Sequence, residues 1–170
     1  MNAVPKLPAG GPSGGDGAEA LCLSCGLCCD GSLFWAVELD AGEAVPGGAD
    51  TAGRLPQPCS FHGAGGCGIY AARPGLCRAF FCGVLQAVMD GTRDRAWGEA
   101  RIEAMRHLLA GLDAVLPGEG ALYGRAAAYL EDAATLPDDA RVRARIAVYE
   151  EMIGDFRPLS AEPSTPRKPG

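Results

Sequence analysis

Eight cysteines lie at Cys22, Cys25, Cys28, Cys29, Cys59, Cys67, Cys77 and Cys82, and none follows them. A chain with so many thiols either oxidises them in pairs or uses them to hold metal, and the compartment decides which. The start, Met1 to Gly17, has one lysine, no apolar run and many Gly and Pro. It reads as neither a signal peptide nor an anchor. No stretch approaches the roughly 18 apolar residues of a transmembrane helix. The expectation is therefore a cytoplasmic chain with no membrane role, its thiols reduced and better explained by metal than by disulfides.

The 170 residues suit one domain or a small domain with an appendage, and the 48% apolar content allows a packed core. The net charge of −6 leaves no basic footprint for nucleic acid. Four stretches are expected: a disordered N-terminal segment (1–18), a cysteine-cluster metal-binding region (19–90), a helical region packed on it (91–156) and a disordered tail (157–170). The change of character falls near Asp90-Gly91. The fold class expected is mostly α, with a small loop-rich, metal-stabilised cysteine region and little β.

In the second half Trp97, Ile102, Met105, Leu108, Leu109, Leu112, Val115 and Leu116 recur at spacings near three and four, which predicts a helix stopped by Pro117-Gly118. Leu122, Ala126, Tyr129, Leu130 and Ala133 predict a second, ending before Pro137. A third follows Thr135-Leu-Pro-Asp138, which resembles a capping box, and runs through Val142, Ile146, Tyr149 and Ile153. In the first half, Leu33 to Leu39 predicts one strand of imperfect alternation. Gly47-Gly48 and Gly63-Ala-Gly-Gly66 mark loops.

Among the cysteines, the two-residue gaps Cys22-x2-Cys25 and Cys25-x2-Cys28 let a tight turn aim two thiolates at one ion, with Gly26 supplying the backbone freedom. Side chains of the neighbours Cys28 and Cys29 diverge, so the pair is expected to serve two centres, or one of the two is spare. The gaps in Cys59-x7-Cys67-x9-Cys77-x4-Cys82 are too varied to assign by spacing. Eight thiolates allow two four-cysteine sites, or one site and a remainder. Zinc and iron–sulfur clusters both accept four thiolates, so ligand type leaves zinc and iron open. His62 could ligate in place of a thiolate or stand behind the ligands, and His107 is expected to be structural. Arg73 and Arg78 flank Cys77, where a cation offsets thiolate charge, and Pro74 opens a helical turn that carries Cys77.

Together, Cys22-Leu-Ser-Cys25-Gly-Leu-Cys28-Cys29, Cys59 and Cys67-Gly-Ile-Tyr70-Ala-Ala-Arg73-Pro74-Gly-Leu-Cys77-Arg78-Ala-Phe80 resemble the CxxCxxCC cysteine-cluster (YkgJ-like) family of zinc- or iron-chelating domains. The resemblance covers about residues 21–82. It implies that the cysteines are metal ligands and implies nothing catalytic. A flagellin lysine N-methylase has a similar domain associated with an iron–sulfur cluster, but no glycine-rich strand–loop–helix signature for a nucleotide-type cofactor is legible here. Cys82 lies beyond Phe80-Phe81, outside the best-matched segment, and is expected to be dispensable.

Three functional classes follow. The first is a metal-binding protein chelating zinc or iron, with the metal ion as its partner and a protein partner unidentified. The second is an iron–sulfur protein in electron transfer, sensing or protein modification. The third is a thiol-redox protein, for which the expected βαβ setting is missing.

Overall fold

The computed structural model describes residues 15–47, 50, 53–131 and 139–158. Helix α1 spans Gly15–Cys25. It begins inside the span expected to be unstructured, because Ala18, Glu19, Ala20 and Leu21 are strong helix formers that the glycines before them conceal. Ala18 and Leu21, three apart, are both buried. Gly26, at φ +67°, ends the helix in a left-handed conformation that other residues avoid.

Two short antiparallel ladders follow. Strand β1 (Ala36–Glu38) pairs with β2 (Arg54–Pro56), placing Val37 opposite Leu55. Only three of the seven residues expected in the first strand belong to it. Leu33 is drawn into the core instead, and Phe34 packs edge-on against Phe80 at 5.0 Å between ring centres. Strands β3 (His62–Gly63) and β4 (Gly66–Cys67) form a hairpin around Ala64-Gly65, so the expected glycine loop is a tight turn.

Helix α2 spans Gly75–Ala79 and carries Cys77, with Pro74 just before it, as the sequence predicts. Helix α3 (Gly83–Met89) is too short to show a periodic signature and lies in the region expected to be mostly loop. Helices α4 (Arg95–Asp113), α5 (Leu122–Glu131) and α6 (Ala140–Phe156) are the three expected ones. Asp94 caps α4 by accepting from the Trp97 N–H at 2.8 Å, and Asp139 caps α6 by accepting from the Arg141 N–H at 2.8 Å. The Thr135–Asp138 capping box lies outside the described residues, as do residues 1–14 and 159–170 of the two segments expected to be disordered. The fold is mostly α with little β.

A single apolar cluster joins both halves of the sequence. Leu21, Leu27, Leu33 and Val84 from the cysteine-bearing part bury against Ile102, Met105 and Leu112 of α4 and Ile146, Tyr149 and Ile153 of α6. The turn at Asp90-Gly91 is real, with Gly91 at φ +76°, but the core runs across it. Two glycines permit this packing. A Cβ at Gly98 would stand 3.0 Å from Leu21 and 3.1 Å from Val88, and one at Gly83 would meet the Asp155 and Arg157 carbonyl oxygens at 2.6 Å. α4 and the end of α6 therefore approach the cysteine-bearing helices more closely than any larger residue allows.

Candidate metal centre

All eight cysteines are free thiols, Cys22 exposed and the others partly buried. Cys22 and Cys25 occupy the last turn of α1, one helical turn apart, and not the tight turn their spacing suggested. The tight turn comes next. The Gly26 carbonyl accepts from the N–H groups of Cys29 (2.8 Å) and Asp30 (3.0 Å), which sends the chain round through Cys28 and Cys29.

Cys28 turns inward. It packs against the apolar cluster beside Cys25 and Cys82. Cys82 caps α3, its Sγ accepting from the Leu85 N–H at 3.4 Å. From the opposite side, the Arg106 guanidinium of α4 donates to the carbonyls of Ser24 and, at 2.9 Å, Cys25. That contact satisfies carbonyls at the end of α1 and fixes its cysteines to the helical half. Cys82, which the sequence left as a spare thiol, is thus placed with the leading cysteines, brought there by α3.

The Cys29 carbonyl accepts from the Cys59 N–H at 2.7 Å, and the Cys59 carbonyl accepts from the His62 N–H at 3.0 Å. His62 in β3 is directly opposite Cys67 in β4. The His62 ring lies over Gly26, where an added Cβ would come within 2.5 Å of its Nε2. His107 is exposed on α4.

The electrostatics couple the thiols to one another. Burial pushes the Cys25 thiol up to about 12, with further upward pressure from Cys82 and Cys22. Burial also drives Cys28 well up, followed by the charges of Cys82, Cys25, Cys22 and Cys29. Cys29 is pushed up to about 12 by burial and then by Cys59, Cys67 and Cys77, and Cys77 up to about 11 by burial, Cys59 and Cys67. Cys82 acts on Cys25 and Cys28, Cys59 and Cys67 act on Cys29 and Cys77, and Cys22 acts on Cys25, Cys28 and Cys29, so the eight thiols form one coupled group.

Arg73 lies over the Tyr70 ring at 3.6 Å and donates to the Tyr70 carbonyl at 3.0 Å. Its charge opposes the rise at both Cys22 and Cys77, the offset expected of a cation among thiols. Arg78 behaves differently. It reaches the Arg73 carbonyl and stands 3.9 Å from the Glu43 carboxylate.

Thiol donors suit zinc or an iron–sulfur cluster, and both use four of them per centre. As placed, however, no three described His, Cys, Asp or Glu side chains are arranged to hold a metal ion. Binding one needs the thiols to rearrange and to lose their protons. Among the described residues no helix is long and apolar enough to cross a membrane.

No protein-family model, no curated protein and no solved structure matches this chain.

Proposed function

We propose that this protein binds zinc or iron, the iron alone or in an iron–sulfur cluster, through its clustered cysteines in a reducing compartment. The observation that carries the reading is that the fold brings eight free thiols from four separate stretches of the chain near enough to act on one another's charge. Four thiolates per centre is the ligand count both metals use. The resemblance of residues 21–82 to the CxxCxxCC cysteine-cluster family supports the same chemistry.

A thiol-redox role has less support. Reactive thiols need a lowered pKa, and burial moves Cys25, Cys28, Cys29 and Cys77 the opposite way. A tightly bound cation reverses that logic, because it deprotonates a coordinating thiol outright.

The test is the absorption spectrum and elemental content of protein purified without oxygen. Brown protein with iron and sulfide assigns a cluster; colourless protein with zinc assigns a zinc centre. Colourless protein free of both metals contradicts the proposal.

A further inference from the structure

We infer that Arg106 of α4 is a positioning residue for the metal-binding thiols: it sets an unpaired positive charge at the end of α1, the helix that carries Cys22 and Cys25. The inference rests on the metal-binding reading above and adds to it a residue of the helical half, outside the cysteine motifs.

The end of α1 is, by itself, a poor place for a thiolate. Cys22 and Cys25 stand in the last turn, where the helix dipole and the unsatisfied carbonyls concentrate negative charge. Thiolates are favoured at the opposite, N-terminal end of a helix. α1 has no basic residue in its own last turn to offset this. Metal binding sharpens the need, because four thiolates gathered around a divalent ion carry a net charge of roughly −2. A cation close by favours that charge.

Arg106 brings one from 81 positions beyond Cys25. Its guanidinium donates to the carbonyl of Ser24 and, at 2.9 Å, to that of Cys25 itself. α4 holds it in place: Met105 and Leu109 are buried, and Gly98 lets the helix lie against Leu21 of α1. Among the described residues Arg106 pairs with no carboxylate, whereas Arg101 on the same helix pairs with Asp155. The two acids that line the same shallow depression have other partners. Asp113 pairs with Arg125, and Asp30 accepts from the Ser32 N–H at 2.8 Å. Hydrogen bonds to carbonyls leave the full charge of Arg106 in place. At Cys25, where burial is the main upward influence, that charge pulls the other way.

A structural clamp and a source of charge differ in what can replace them. Gripping carbonyls needs a donor and no charge; favouring thiolates needs the charge and no planar fork. The probe is zinc, added to the full chain prepared metal-free without oxygen. Zinc affinity is read by competition with a coloured chelator, and the stability of the metal-free chain by its thermal melt. Arg106→Gln keeps a donor and loses the charge, and should bind zinc at least about tenfold more weakly. Arg106→Lys keeps the charge and should stay within about threefold of the unaltered chain. The metal-free melts of all three should nearly coincide. Unchanged zinc affinity in Arg106→Gln overturns the inference. Equal losses in the two variants, or failure of either to fold, also overturn it, because they make Arg106 a structural clamp. An unaltered chain that takes up no zinc overturns it too, and one that takes up neither zinc nor iron overturns the metal-binding reading as well.

Discussion

The hydroxyl of Tyr149 in α6 donates to the backbone carbonyl of Ser32, a residue 117 positions earlier. Both residues are buried, Tyr149 at 1% exposure and Ser32 at 5%. Ser32 stands three residues after Cys29, so α6, the last of the described helices, helps set where the Cys28-Cys29 turn sits. Tyr149→Phe keeps the ring and leaves a buried carbonyl unpaired. It should lower the stability of the fold by about 1–3 kcal/mol, read from urea denaturation. An unchanged midpoint would mean that α6 does not anchor the cysteine turn.

Gly26 makes a sharper case, because two costs coincide there. Its φ of +67° disfavours a side chain, and an added Cβ would come within 2.5 Å of the His62 ring. Gly26→Ala should cost about 1–3 kcal/mol in backbone strain, and more from the collision. Adding His62→Ala should recover the collision but not the strain. The thermal melts of the single and double variants separate these contributions. Equal melts for Gly26→Ala and the wild-type chain would contradict the turn geometry.

Alkaline pH should weaken the metal-free protein and spare the loaded one. Burial raises Cys25 and Cys29 from near 9 to about 12 and Cys77 to about 11. The folded chain therefore keeps protons that the unfolded chain releases, and this contribution is complete below pH 9 and lost as pH rises toward 12. In the loaded protein the ligating thiols have no proton left to lose. Denaturation midpoints at about pH 8 and about pH 10, with and without metal, check the sign. A metal-free midpoint that does not fall at the higher pH would be the contrary result.

Cys82 separates the structural reading from the sequence reading most cleanly. By sequence it stands outside the best-matched segment and looks dispensable. In the fold it caps α3 and packs beside Cys25 and Cys28. Cys82→Ser should therefore lower metal content as much as Cys25→Ser does, because a protonated hydroxyl is a poor substitute for thiolate. Full metal retention in Cys82→Ser would restore the sequence-based ranking.

The helices α4, α5 and α6 were legible because each is long enough for its apolar residues to repeat: Ile102, Met105, Leu109 and Leu112 all bury on one face. α3 was not, since seven residues give fewer than two full turns. α1 was hidden by the glycines before it, and with it the position of Cys22 and Cys25 on a helix end. That Cys28 packs against the apolar cluster could not be read from its neighbours in sequence. Nor could the places of Cys67 and Cys82, because they depend on the β3–β4 hairpin setting Cys67 opposite His62 and on α3 bringing Cys82 back beside α1. Those are tertiary placements, and sequence gaps do not encode them.

The most direct test of metal binding is the native mass spectrum of the chain purified without oxygen, compared with its acid-denatured mass of 17.5 kDa. Metal binding predicts a native excess equal to bound zinc or iron, the iron alone or in an iron–sulfur cluster, lost on denaturation together with the appearance of eight titratable thiols. A native mass equal to the bare chain, with less than about 0.2 metal per chain by elemental analysis, would contradict it.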